Sequence, residues 1–175
     1  MKTADHFRLG MDLEAGTTQA EGERGDSGHP HLRIVDHGQA AALLDTNRED
    51  HFIARDGAVF AGTHLIIEVV DGRGLDEEAR VRGALEACVE ACGATLLHLH
   101  THRFTPQGIS GVAVLAESHI SVHTWPEIGY GAFDVFMCGD ARPWEAVEVL
   151  RHAFAAGDVQ VRELRRGEGI VADRL

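Results

Sequence analysis

The chain has 175 residues, 44% of them hydrophobic, and a formal net charge of −12. That length fits a single globular domain with a sizeable core, and no apolar run is long enough to span a bilayer. The acidic balance disfavours nucleic acid, whose phosphates need basic partners.

Finer counts narrow the chemistry. Met1-Lys2-Thr3-Ala4-Asp5-His6 lacks the apolar stretch of a secretory signal, so a cytoplasmic location is expected. Cys88, Cys92 and Cys138 form no disulfide framework and are read as reduced thiols. Lys2 is the sole lysine and lies in a polar tail. A pyridoxal phosphate enzyme needs a lysine for its internal Schiff base, and a P-loop needs Gly-Lys-Ser/Thr. Neither chemistry is expected here.

Along the chain, residues 1–60 read as an N-terminal extension and 61–175 as the functional domain. Residues 1–31 are polar and aperiodic, and are expected to be disordered. Within 32–60, Gln39–Leu44 has the composition of a short helix, and Phe52-Ile53 and Val59-Phe60 are candidates to pack on the domain. His64–Val70 is a β-rich apolar run, and Asp71-Gly72-Arg73-Gly74 is a turn. Leu75–Cys92 repeats apolar residues at helical spacing, with Gly93 as its stop. Thr95–Phe104 predicts a strand, and Thr105–Gly108 a turn. Gly111–Glu117 and His119–Thr124 predict two strands with Ser118 between them. Ala132–Met137 is another strand, Pro143 opens a helix to about Ala156, and Val159–Leu164 is the last strand. This order predicts an α/β two-layer sandwich, an antiparallel sheet with helices on one face. The other face then needs cover, which a second copy of the chain would supply by packing sheet to sheet.

The chemistry concentrates in Leu115-Ala116-Glu117-Ser118-His119-Ile120-Ser121-Val122-His123-Thr124-Trp125-Pro126-Glu127, followed by Phe136-Met137-Cys138-Gly139-Asp140. These segments resemble the self-cleavage site of the small prokaryotic S-adenosylmethionine decarboxylases, over residues 62–167. The resemblance implies a proenzyme cut between Glu117 and Ser118, in which Ser118 becomes an N-terminal pyruvoyl group, the cofactor. Attack of the Ser118 hydroxyl on the Glu117 carbonyl would give an ester. Elimination would leave dehydroalanine, which hydrolyses to pyruvoyl and ammonia. His123 would move the proton in that step, since imidazole titrates near neutrality. Residues five apart on a straight strand face opposite sides, so a bend between Ser118 and His123 is required for contact.

Ser110, in Gly108-Ile109-Ser110-Gly111, matches the family serine that assists processing. Cys138 matches the proton donor of the decarboxylation step. Phe104 and Glu127 match substrate-facing positions, where they would stack on adenine and bind ribose hydroxyls. Trp125 is read as shaping the turn or the core. The family arrangement of two units packed sheet to sheet implies a homodimer. The product would be the aminopropyl donor for spermidine synthesis.

The chain departs from the family pattern at Glu68-Val69-Val70-Asp71-Gly72-Arg73-Gly74, where the family's aromatic residue and the cysteine of the Cys-Asp that follows it are missing. A smaller substrate would not need an adenine sandwich, so arginine or ornithine is the alternative. A non-catalytic regulatory paralogue is a further one, opposed by the joint presence of Ser110, Ser118, His123 and Cys138. His98, His100 and His102 alternate on one strand face, where zinc could bind. No cysteine or acid completes the set, so no metal is assigned. Cys88 and Cys92, one helical turn apart, read as core.

Overall fold

A computed structural model describes residues 51–174. The readings of 1–31 and Gln39–Leu44 lie outside the described residues. Two short strands open the described chain, β1 (Ile53–Arg55) and β2 (Ala58–Phe60), joined by a turn at Asp56-Gly57 and paired antiparallel. Then follow β3 (Gly62–Val70), α1 (Glu78–Cys92), β4 (Leu96–Arg103), β5 (Ile109–Leu115), β6 (Ser118–Trp125), β7 (Tyr130–Met137), α2 (Glu145–Ala153) and β8 (Asp158–Arg166). The six long strands form one antiparallel sheet in the order β4-β5-β6-β7-β3-β8.

The two-layer α/β sandwich is therefore present as expected. Along β3, Leu65, Ile67 and Val69 are fully buried, while His64, Ile66 and Glu68 between them are not. That period of two directs one row of side chains to the helices. On the helical side, Val81, Leu85, Cys88, Val89 and Cys92 of α1 and Ala146, Val147 and Leu150 of α2 close one continuous core with those strand residues. Gly93, at φ +73°, ends α1 in the left-handed conformation, and its amide donates to Glu90 O. The helix begins at Glu78 rather than Leu75. Gly74 turns the chain at φ +75°. Asp76 is meanwhile engaged elsewhere, accepting hydrogen bonds from Gly108 N at 2.9 Å and Arg103 Nη2 at 2.5 Å. Both buried cysteines are core residues, and desolvation pushes the Cys92 thiol up to about 11.

The sheet's second face carries no helix among the described residues. Val112 and Val114 of β5 and Leu164 of β8 are each about two-fifths exposed there (38%, 41% and 45%). Between them runs a polar strip, in which Ser121 Oγ donates to Asp134 Oδ2 at 2.9 Å and His64 Nε2 lies 3.3 Å from Asp134 Oδ1. Among the described residues no helix is long and apolar enough to cross a membrane, and no three His, Cys, Asp or Glu side chains converge as metal ligands.

Candidate active site

β5 and β6 form a hairpin whose last pair is Leu115 with Ser118, leaving Ala116 and Glu117 as the two-residue turn. Ser118 is thus the first residue of β6, not a residue between strands. Glu117 has φ +64°, a conformation that L-residues with a side chain rarely adopt. Its neighbour is held, since Ala116 N donates to Thr95 O at 3.0 Å.

The next strand brings Cys138 to this turn. Cys138 follows β7 directly, and its backbone N–H donates to Ser118 Oγ at 3.2 Å. Ser118 and Cys138 line a cleft of about 320 Å³ together with Glu117, Gly139, Asp140 and the end of α1 at Cys92–Ala94. Burial pushes the Cys138 thiol above its ordinary value, and the Glu117 carboxylate adds to that shift. A thiol in this setting keeps its proton at neutral pH.

The other expected residues gather at the opposite end of the same strands. Ser110 of β5 and His123 of β6 are direct cross-strand partners. β6 runs unbroken from Ser118 to Trp125, and its buried residues are Ile120, Val122 and Thr124. The bend that contact between Ser118 and His123 would require is therefore absent. Five residue steps along the strand set the two about 16 Å apart, on opposite faces. Within one chain the structure brings Ser118, Glu117 and Cys138 together, but not Ser110 or His123 with them.

Phe104 and Glu127 lie toward the Ser110–His123 end. Phe104, 49% exposed, stands just past β4 with its ring edge-on to His102 at 4.8 Å, and its N–H donates to Gly108 O. The Asp76 carboxylate grips this turn. The Gly108 amide first, with Arg103 beside it, holds Asp76 below the usual carboxylate range. Glu127 sits in the short 3₁₀ turn Pro126–Ile128 and accepts from Gln107 Nε2 at 3.0 Å. Trp125 is 42% exposed, so it is not a core residue; it stacks on Tyr130 at 5.2 Å. The Tyr130 hydroxyl donates to Glu68, a bond that pushes the phenol up to about 12.

Sequence reasoning passed over Tyr130 and Glu68, although Tyr130 stands only three residues after Glu127. It also passed over His51. That side chain lines the cleft, with Nε2 at 2.9 Å from Glu117 Oε1. No signal in the sequence joins positions 51 and 117, because the contact is made only by folding.

Comparison with known proteins agrees with this architecture. A solved adenosylmethionine decarboxylase from Aquifex aeolicus is similar to the chain, with a TM-score of 0.56 and 30% identity over 60% of this chain and 89% of that one. The fold class is thus that of a decarboxylase built on an α/β sandwich. The family model for S-adenosylmethionine decarboxylase matches residues 63–167, and the chain belongs to that family. Among its relatives, the S-adenosylmethionine decarboxylase proenzyme of Methanococcus aeolicus is 48% identical over 109 residues, covering 61% of this chain and 93% of the relative. The one from Parasynechococcus marenigrum is 50% identical over 108 residues, covering 60% and 84%.

Proposed function

We propose that the chain is a cytoplasmic proenzyme that cuts itself between Glu117 and Ser118 and then decarboxylates S-adenosylmethionine, supplying the aminopropyl donor for spermidine synthesis. One observation carries this reading. A single cleft joins the left-handed Glu117, the Ser118 hydroxyl and the Cys138 thiol, in a chain whose relatives are named proenzymes of this decarboxylase.

The residues present fit a pyruvoyl group made from Ser118. Ser118 begins a strand, so cutting before it leaves the sheet ladder intact. Its side chain opens into a cleft, and a thiol stands beside it. The pyruvoyl group supplies the electron sink that lets carbon dioxide leave an α-amino acid. The protein's own part is to bind, orient and move protons. The Ser118 Oγ is oriented by the Cys138 N–H before cleavage. The Cys138 thiol, held protonated by burial, donates a proton to carbon after decarboxylation. Phe104 offers a face to adenine and Glu127 acceptors to ribose hydroxyls. With Lys2 the sole lysine, no pyridoxal phosphate role is assigned.

Ser110 and His123 act on Ser118 in this reading from a second copy of the chain. The open face, with Val112, Val114 and Leu164 exposed, supports a homodimer packed sheet to sheet. A twofold axis between the sheets and across the strands lays each strand end over the opposite end of its partner. One chain's Ser118–Cys138 rim would then meet the other's Ser110–His123 end. There, His123 moves the α-proton of residue 118 during maturation, and Ser110 donates to the oxyanion that forms at the Glu117 carbonyl.

The test is intact mass of the purified protein, with carbon dioxide release from S-adenosylmethionine, arginine and ornithine side by side. Two fragments, 1–117 and a blocked 118–175, with turnover of S-adenosylmethionine, are expected. An active protein that stays whole overturns the cleavage mechanism. Turnover of arginine or ornithine without S-adenosylmethionine overturns the substrate.

A further inference from the structure

Among the described residues that precede the family match, His51 is built into the candidate site. Phe60 and Val59 of β2 are buried at 0% and 1% exposure. The guanidinium groups of Arg55 and Arg165 each lie 5.4 Å from the Phe60 ring centre, and Arg165 Nη2 pairs with Asp56 at 2.5 Å. The β1–β2 hairpin is thus anchored beside β8, and the chain just before it reaches the cleft. There His51 is fixed at two points. Its carbonyl accepts from Gly139 N at 2.9 Å, and its Nε2 lies 2.9 Å from Glu117 Oε1. Gly139 leaves room for this approach, since a Cβ on it would stand 3.3 Å from the imidazole.

We propose that His51 is a positioning residue for self-cleavage, holding the Glu117 side chain so that the Glu117–Ser118 bond keeps its reactive geometry. The role rests on the self-cleavage reading above. In the first step, the Ser118 Oγ forms a bond to the Glu117 carbonyl carbon while that carbon's bond to the Ser118 nitrogen breaks. The hydroxyl proton ends on the released amine. His51 exchanges no proton in this step. Glu117 must hold a left-handed backbone that its own Cβ disfavours, and a misplaced carbonyl lowers the rate steeply. The imidazole ties the side chain of that residue to a hairpin anchored elsewhere in the fold. His51 and Glu117 both belong to the N-terminal fragment, so the pair outlasts the cut.

The experiment follows cleavage of freshly made full-length chain by intact mass, for the wild type, His51→Ala and His51→Gln, with melting temperature as the fold control. Glu117→Gln and its combination with His51→Ala complete a cycle. Both partners are about half exposed, at 56% and 52%, so the contact is screened and His51→Ala should slow cleavage about fivefold, equivalent to about 1 kcal/mol. His51→Gln keeps an N–H donor and should stay within about twofold of wild type. In the Glu117→Gln background, His51→Ala should add about twofold or less. Wild-type speed in His51→Ala overturns the role. Equal slowing by His51→Ala and His51→Gln, or a full fivefold loss in the Glu117→Gln background, does so too. A wild-type chain that stays whole removes the self-cleavage reading itself, and this role with it.

Discussion

Replacing Cys138 by alanine separates what its backbone does from what its side chain does. The contact to Ser118 is made by the Cys138 main-chain N–H, at 3.2 Å from Oγ, and alanine keeps that donor. Self-cleavage should therefore survive in Cys138→Ala, slowed only a few-fold. The thiol is a different matter. A positioned general acid contributes about 10² to 10⁴ in rate, so carbon dioxide release from the processed enzyme should fall by about that factor. The pH profile gives a second handle. Burial, with the Glu117 carboxylate second, raises the thiol's pKa. The donor is thus protonated below the raised value, and activity should fall as pH rises through it. Glu117→Gln removes the smaller of the two causes, so the alkaline fall should move slightly toward lower pH in whatever fraction still processes. The assay is intact mass for cleavage and carbon dioxide release for turnover. It includes the mass of the 118–175 fragment after turnover, because protonation at the wrong carbon would leave alanine at position 118. Full turnover by Cys138→Ala would show that another group donates the proton.

Further perturbations test the remaining parts. Ser118→Ala should leave a single uncut chain. Co-expressed with His123→Ala, it should restore cleavage of the His123→Ala chain, which keeps Ser118 and gains a partner with His123; failure of that rescue, in a mixed dimer shown by mass to form, would refute the composite site. Phe104→Ala removes one stacking face, a loss of about 0.5–1.5 kcal/mol beyond area burial, and should raise KM for S-adenosylmethionine about tenfold while leaving cleavage intact. Phe60→Ala empties a fully buried site, which costs about 3–5 kcal/mol for Phe to Ala. Chemical denaturation should show that loss, and a change below about 1 kcal/mol would mean the β1–β2 hairpin is not docked as described.

The sheet strands and both helices were legible because each is specified by its own residues. Leu65, Ile67 and Val69 alternate with His64, Ile66 and Glu68, and Val81, Leu85, Cys88 and Cys92 recur at helical spacing. These periods determine which row faces the core. Gly93 stopped its helix where predicted, because a left-handed residue is cheapest without a side chain. The Glu117-Ser118 motif and Cys138 were also readable, as adjacent residues and a short spacing, although the turn itself falls at Ala116-Glu117. What the sequence by itself could not determine is which distant residues meet. It pairs Ser118 with His123 in one motif, yet an unbroken β6 carries them about 16 Å apart on opposite faces. It gives no hint that His51 reaches Glu117, because the β1–β2 hairpin is too short for a strong periodic signal and is fixed by Phe60, Arg55 and Arg165 packing with β8. Local pattern sets secondary structure through backbone sterics and alternation. The site is assembled by long-range packing, whose free energy is shared among residues far apart in the chain, and so only the tertiary structure decided it.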